Sequence, residues 1–259
     1  MIKVIWNHVV FEETAVGICD ALFLGGFDAE SSRVNFENDF ENDVLYVVLG
    51  LHRFGRVPKR FIAVQAEQVG SKWMKTPYLA NLRRALCVWD FSFKNCQYFQ
   101  QKGIWCCHVR SRVPMEIFHP GSSSVELHFS TRQKDIDVLF YGARCRRRES
   151  LQSEFLTKYP RLKVVFRFND LFREEREDLI SRSKVVLNIH YWPSASLETH
   201  RVEYLCSRGK CVVSEKSSDA DLDSEYSGCV SLVPYCSILR TAHYYITQTQ
   251  ERQALESKS

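Results

Sequence analysis

The segment spanning residues 185–215 (VVLNIHYWPSASLETHRVEYLCSRGKCVVSE) constrains the fold of this chain more than any other. Val185, Val186 and Leu187 form a short apolar run rich in β-branched residues, and Cys211, Val212 and Val213 form a second. Between them, Val202, Leu205 and Cys206 recur with helical spacing over residues 199–208, and Gly209 ends the pattern. Strand, loop, helix and strand in that order predict a βαβ unit of a parallel sheet. Asn188, His190, Ser196 and Glu198 then fall where a strand ends and a helix begins. In an open α/β sheet that edge is where ligands bind. The free N–H groups and positive dipole end of a helix start suit a phosphate there.

The same rhythm runs along the rest of the chain. In the first half, strands are predicted at 2–6, 44–49, 60–68, 88–90 and 104–109, with helices at 14–24, 77–87 and 93–102. Gly121 to Ser124 opens a polar stretch that reads as a linker. The second half resumes with strands at 137–141 and 162–168, helices at 146–159 and 174–183, then the opening segment. A strand at 230–233 and one terminal helix at 237–255 complete it, and Tyr244, Tyr245 and Ile246 could pack on either half. Asp219 to Asp223 reads as a Ser-rich loop. No GxGxxG is present, so a dinucleotide cofactor loses its main support.

Composition narrows the classes. Of 259 residues, 45% are hydrophobic and 25% charged, the balance of a soluble globular protein. A formal charge of +4 favours anionic ligands without marking a nucleic-acid binder. The ten cysteines include no CxxC pair and several sit inside apolar runs, so reduced thiols in the cytoplasm are expected rather than disulfides or zinc ligation. Residues 2–6 read as a strand and not as a secretory leader, and no apolar run reaches the ~20 residues of a membrane span.

Asn188-x-His190, Glu198-x-x-Arg201-Val202 and Gly209-Lys210-x-Val212-Val213-Ser214-Glu215 together resemble the donor half of GT-B glycosyltransferases, in particular small GT1/GT4-like proteins of bacterial surface-sugar clusters and large DNA viruses. The likeness extends weakly over most of the chain. Gln65-x-Glu67-Gln68, Trp73, Tyr78-Leu79, Arg83-Arg84-Ala85 and Val88-Trp89-Asp90-x-Ser92 resemble the acceptor half, followed by Val113-Pro114 and Phe118-His119-Pro120. Tyr141-Gly142 followed by Arg147-Arg148 is similar to that group's phosphate-binding turn. The resemblance implies an α/β chain of two Rossmann-like domains facing a cleft. Residues 1–120 would form the acceptor-side domain, 121–134 the linker and 135–259 the nucleotide-sugar-binding domain.

The implied activity is glycosyl transfer, by a hexosyl- or pentosyltransferase, from a nucleotide-diphosphate sugar to a hydroxyl of a glycan or glycoprotein acceptor. Neither a metal nor a further cofactor is implied, and neither a nucleic acid nor a membrane span. Gly142 allows backbone N–H groups to approach an anion, and Arg147 and Arg148 can fork onto its oxygens. The resemblance puts Glu198 near ribose or sugar hydroxyls and Arg201 near the diphosphate or in an internal salt bridge. Three residues apart, they share a helix face, so an ordinary surface ion pair is the plainer alternative. His190 and Ser196 complete the donor set, and Trp192 or Phe168 could stack on a base.

An inverting enzyme also needs a general base near the attacking hydroxyl. Glu67, just past the predicted strand at 60–68, is preferred; His8, in the first strand-to-helix loop, is next, and Asp90 is a further candidate. The paired glutamates seven residues apart that mark retaining relatives are missing, because Glu198 and Glu203 are too close. Stereochemistry is therefore left open. Asp135-Ile136-Asp137 and Asp219-Ala220-Asp221 are formally DxD metal motifs, but neither follows an apolar strand, and both read as solvated. The alternative is a non-catalytic GT-B-like protein that binds a sugar nucleotide or glycan.

Overall fold

The computed structural model describes residues 1–35, 39–71, 73–109 and 133–258. The chain divides into two compact units, Met1–Gly121 and Ser122–Ser259. Residues 113–120 and nearly all of the linker expected at 121–134 lie outside the described residues.

The first unit is built on a parallel six-stranded sheet: β1 (Ile2–Trp6), β2 (Ala29–Arg33), β3 (Leu45–Leu49), β4 (Phe61–Gln65), β5 (Cys87–Asp90) and β6 (Cys106–His108), in the order β2-β1-β3-β4-β5-β6. Helices α1 (Glu12–Leu24), α2 (Thr76–Arg84) and α3 (Phe93–Gln101) connect them. Successive side chains of a strand point to opposite faces, and both faces here are covered. Ile5 packs with Tyr46, Val48, Phe61 and Val88 on one side, beneath Leu82 of α2 and Phe99 of α3. Val4 and Trp6 pack with Val47, Leu49 and Val64 on the other, against Ala15 and Cys19 of α1. Each such side chain contributes about 1.5–3 kcal/mol on full burial, which is why β-branched runs and not alternating patterns mark these strands.

The second unit holds a parallel five-stranded sheet of β7 (Ile136–Gly142), β8 (Val164–Phe168), β9 (Ser183–Asn188), β10 (Cys211–Glu215) and β11 (Ser231–Val233), in the order β11-β10-β9-β7-β8. Its helices are α4 (Arg146–Lys158), α5 (Arg173–Ser181), α6 (Thr199–Ser207), α7 (Ala220–Tyr226), α8 (Ile238–Thr247) and α9 (Thr249–Glu256). Both sheets share one winding. The second strand lies outside the first, and the third lies on the first strand's other side. The strand order therefore reverses between β1 and β3 in one unit and between β7 and β9 in the other. Those reversals open a crevice at the carboxyl ends of the strands.

Several expectations are corrected. The predicted helix at 77–87 stops at Arg84, because Cys87 already pairs in β5, and that at 174–183 stops at Ser181, because Ser183 begins β9. The Ser-rich stretch after β10 is helix α7, whose start is capped by Asp219 accepting from Leu222 N at 3.2 Å. The single terminal helix is two, divided at Gln248, whose ψ of 82° leaves the helical region. Its Tyr245 and Ile246 join the core of the second unit. Asp135 and Asp137 are not loose solvated carboxylates: Asp135 pairs with Arg182 and Lys163, and Asp137 with Lys184 at 2.7 Å. Hydrogen bonds from Arg182 and Lys163 hold Asp135 well below the usual carboxylate range.

Candidate functional site

The reversal between β7 and β9 gathers most of the sequence-predicted donor residues. β7 ends at Gly142 with φ +149, in the region that favours glycine, and a Cβ there would lie 3.0 Å from Arg201 Nη2 and 3.3 Å from Arg148 Nη1. β9 ends at Asn188, and Ile189 and His190 follow. Arg148, in the first turn of α4, spans the two loops. Its Nη1 donates to Ala143 O at 2.7 Å, and Nε and Nη2 donate to Ile189 O at 3.0 and 2.5 Å. The fork of a guanidinium makes such a three-way staple possible where a lysine could not.

The same Nη2 reaches Glu198 Oε1 at 3.0 Å, and Arg201 Nη1 lies 3.1 Å from Glu198 Oε2. Glu198 occupies the N-cap position of α6 yet makes no side-chain cap, because its carboxylate is turned to these two arginines. Burial alone would raise its pKa, but Arg201, Arg148 and His190 outweigh it and hold the carboxyl below its ordinary value. Two guanidinium groups thus share one carboxylate, which leaves excess positive charge at the edge. Burial lowers the Arg148 pKa, with the Glu198 charge opposing it.

Arg147 is engaged differently. It holds Glu215, at the end of β10, through two bonds of 3.1 and 2.6 Å and donates to His190 O at 3.0 Å. Its guanidinium lies 4.3 Å from the ring centre of Tyr235, whose hydroxyl donates to Arg147 O. Glu215 also accepts the His190 N–H at 3.2 Å. Arg147 therefore fixes the loop after β9 and is charge-balanced by Glu215. His190 is fully buried beside it, and among the described residues neither ring nitrogen has a hydrogen-bond partner. Burial lowers its pKa against the charges of Glu198, Glu215 and Asp223. Ser196 is buried in the same loop.

Sequence reasoning overlooked the loop after β8. Asn169 and Arg173 bracket it with φ of 66° and 50°, both unusual for residues other than glycine. Asn169 N donates to Gly142 O at 3.1 Å, and its Oδ1 accepts from Arg144 N at 3.3 Å. Backbone strain of this kind gathers at ligand clamps, and it adjoins the glycine turn. Phe168 packs in the core with the Arg144 guanidinium 5.1 Å from its ring centre, whereas Trp192 is exposed, edge-on to Tyr191 at 4.6 Å.

In the first unit, His8 follows β1 and its Nδ1 accepts from Val10 N at 3.3 Å, capping the short turn Val9–Phe11. Burial, Arg53 and Arg33 all lower its pKa. Glu67 lies two residues past β4, its backbone held by Gln65, whose amide accepts from Glu67 N and donates to Glu67 O. Its Oε1 lies 3.2 Å from His52 Nδ1, a histidine that no spacing in the sequence singled out. Asp90 accepts from Ser92 N at 2.8 Å and Asn95 Nδ2 at 3.2 Å, so its carboxylate is tied to the start of α3. Among the described residues no three His, Cys, Asp or Glu side chains gather as a metal site, and no helix is long and apolar enough to cross a membrane.

No family model matches the chain, and no curated protein matches it in sequence. Solved structures do match in shape. WaaG, a glycosyltransferase involved in lipopolysaccharide biosynthesis, superposes with a TM-score of 0.61, over 100% of this chain and 94% of that one, at 10% identity. HepE from Anabaena, in complex with UDP and glucose, gives 0.60 over 100% and 93%, at 12% identity. This chain has the GT-B fold. The fold also serves other sugar-nucleotide chemistry: UDP-GlcNAc 2-epimerase from Neisseria meningitidis, bound to UDP-GlcNAc, gives 0.51 over 100% and 94%, at 9% identity.

Proposed function

We propose that the protein transfers a sugar from a nucleotide-diphosphate sugar to an acceptor hydroxyl, without a metal. One observation carries this reading: Glu198 is clamped between Arg148 and Arg201 beside the positive-φ Gly142, at the strand reversal of the second unit. A sugar nucleotide needs a carboxylate for hydroxyl recognition and surplus positive charge for its diphosphate, side by side, and this arrangement supplies both. The UDP and glucose complex of HepE and the fold shared with WaaG support the donor class.

In the proposed reaction the acceptor oxygen forms its bond to the anomeric carbon as the bond to the diphosphate oxygen breaks. The diphosphate leaves with the electron pair, and Arg201 and backbone N–H groups offset its charge. The acceptor proton passes to a base in the first unit, for which Glu67 is the best candidate. Arg147 and Arg148 act mainly by holding the loops that carry His190 and Glu198.

Thermal melts in EDTA with UDP, GDP and UDP-glucose test the donor site. A ligand at 100 times its Kd should stabilise the protein by about 2.7 kcal/mol. An unchanged melting temperature with every common nucleoside diphosphate and sugar nucleotide sinks the assignment. Binding without release of nucleoside diphosphate, across a panel of acceptors, would instead point to a non-catalytic binding protein.

A further inference from the structure

The strand reversal of the first unit, between β1 and β3, carries a second organised carboxylate. The loop after β3 turns at Gly50, with φ +71, where a Cβ would run into the Phe11 ring. The turn Leu51–Arg53 follows, and Asn7 Nδ2 ties it to the loop after β1 by donating to Arg53 O at 2.9 Å. This places the His52 ring among three aromatic side chains. Its centre lies 4.7 Å from that of Trp73, 6.2 Å from Tyr78 and 6.3 Å from Phe11.

His52 Nδ1 is buried, lies 3.2 Å from Glu67 Oε1, and makes no hydrogen bond elsewhere among the described residues. The contact lacks the alignment of a full hydrogen bond, and contacts of this kind tighten when the reactants bind. Glu67 is braced from behind as well. Gln65 grips its backbone N–H and C=O, and the Tyr78 hydroxyl, which also lies beside His52, donates to Gln65 Oε1 at 2.5 Å. Supporting residues of this sort set the direction of a reacting group, and a site without them is loose.

We infer that His52 is a positioning residue for Glu67, holding its carboxylate at the carboxyl edge of the first sheet as the proton acceptor for the incoming hydroxyl. The inference rests on the proposed glycosyl transfer. Roles within the pair follow from the surroundings of the ring. Burial, then the charge of Arg53 on its own turn and of His8 after β1, lower the His52 pKa to about 4, and Glu67, from the loop after β4, faces the ring at 3.2 Å. Tyr78, from α2, stays protonated because burial and the charges of Glu67 and Asp90 push its pKa well up. At neutral pH the histidine is therefore a neutral donor, and the proton of the incoming hydroxyl goes to Glu67.

The pair is tested in two ways. NMR of the full chain should find the His52 ring neutral from about pH 8 down to about pH 5, with the proton on Nδ1. Glu67→Met should release that tautomer preference. A ring that titrates near its ordinary value, or carries its proton on Nε2, overturns the inference. The second test follows UDP release from UDP-glucose with a panel of monosaccharide acceptors. His52→Phe keeps the ring packing and loses the donor. Its turnover should fall about tenfold or more, part of the roughly 10²–10⁴-fold that a positioned base contributes, with KM for UDP-glucose unchanged and the acid limb of the pH profile displaced. His52→Asn, whose amide places an N–H near the Nδ1 position, should recover most of it. Equal rates for the Phe and Asn variants overturn the positioning role. If the parent neither binds UDP nor releases it, the transferase reading and the reaction role fail together, and the tautomer measurement alone then decides whether Glu67 and His52 are paired.

Discussion

Arg148 and Glu198 meet at 3.0 Å across the strand reversal of the second unit, with the arginine 2% exposed and its remaining donors bound to Ile189 and Ala143 carbonyls. Arg201 meets the other oxygen of the same carboxylate at 3.1 Å, and among the described residues it donates to no backbone carbonyl. Two arginines that look equivalent in the sequence therefore have different work. One is part of the framework, and the other keeps donors that no backbone carbonyl takes among the described residues, as the proposed diphosphate contact requires.

The first prediction separates them. Arg148→Ala leaves Glu198 short of a partner and strips two backbone carbonyls of their donors, so it should destabilise the second unit by about 3–5 kcal/mol. Arg148→Lys should recover little, because an ammonium cannot span Ala143, Ile189 and Glu198 together. Arg201→Ala also takes one partner from Glu198 but strips no backbone carbonyl, so it should lose less stability than Arg148→Ala and bind UDP more weakly by more than about 1 kcal/mol, since hydrogen bonds to charged groups contribute about 1.5–3. Urea titration and calorimetry with UDP distinguish the two. If Arg201→Ala binds UDP like the parent, the cluster is a framework element and nothing more.

Arg147 gives a second prediction, through its forked pair with Glu215. Glu215 is 5% exposed, so Arg147→Ala leaves a buried carboxylate whose one remaining hydrogen bond among the described residues is from the His190 N–H, whereas Arg147→Ala with Glu215→Gln removes the charge as well. The single variant should therefore be less stable than the double variant. Coupling between neighbouring groups of this kind is about 0.5–3 kcal/mol in a double-mutant cycle. Additive effects would mean that Arg147 is free to serve a ligand.

Gly142→Ala is the third. A φ of +149 is costly for any side chain, by about 1–3 kcal/mol, and the new Cβ meets both the Arg201 and Arg148 guanidinium groups. Stability should fall by that order, and UDP affinity should fall with it, because the arginine that must move is the one proposed to meet the diphosphate. Retained affinity in a destabilised protein would place the nucleotide elsewhere.

Much of this arrangement was legible in the sequence, for reasons that also explain what was not. Strands buried on both faces appear as unbroken runs such as residues 185–187 and 61–64, so β1, β3, β4 and β7 to β10 could be located from apolar content alone. β2 (Ala29–Arg33, AESSR) was missed because it is an edge strand with little buried surface, and its pairing with β1 leaves no apolar signature. Helix α7 was hidden by its serines and aspartates, although Asp219 is the kind of residue that starts a helix. The residues of the donor edge were visible as polar groups after strands. What the sequence cannot distinguish is which guanidinium is consumed by backbone carbonyls, since Arg147 and Arg148 differ only in the direction each takes from the first turn of α4. His52 had no motif to mark it; the one available signal was Gly50 directly after a buried strand, as at Gly142.

The last prediction concerns acid. His52 and His190 are both held neutral by burial, His52 at about 4 and His190 below its ordinary value, while in the unfolded chain each takes up a proton near 6.5. Between the folded and unfolded values the unfolded chain binds more protons, so stability must fall as pH drops through that window. For His52 the interval from 6.5 to about 4 corresponds to about 3 kcal/mol at its acid end. Glu198 adds to the loss only at lower pH: its depressed folded value makes its contribution complete above the unfolded value near 4.5, and lost as pH falls through the folded one. Urea midpoints measured from about pH 7.5 to pH 4.5 should therefore decline well before carboxylates protonate. His52→Asn should remove only part of the decline in the first unit, where the His8 pKa is lowered too, and His190→Asn only part of that in the second, where burial lowers His200 to about 4. A flat profile down to about pH 5 in the parent would mean that both rings titrate in the folded protein as they do in water, and that neither is shielded as the structure places it.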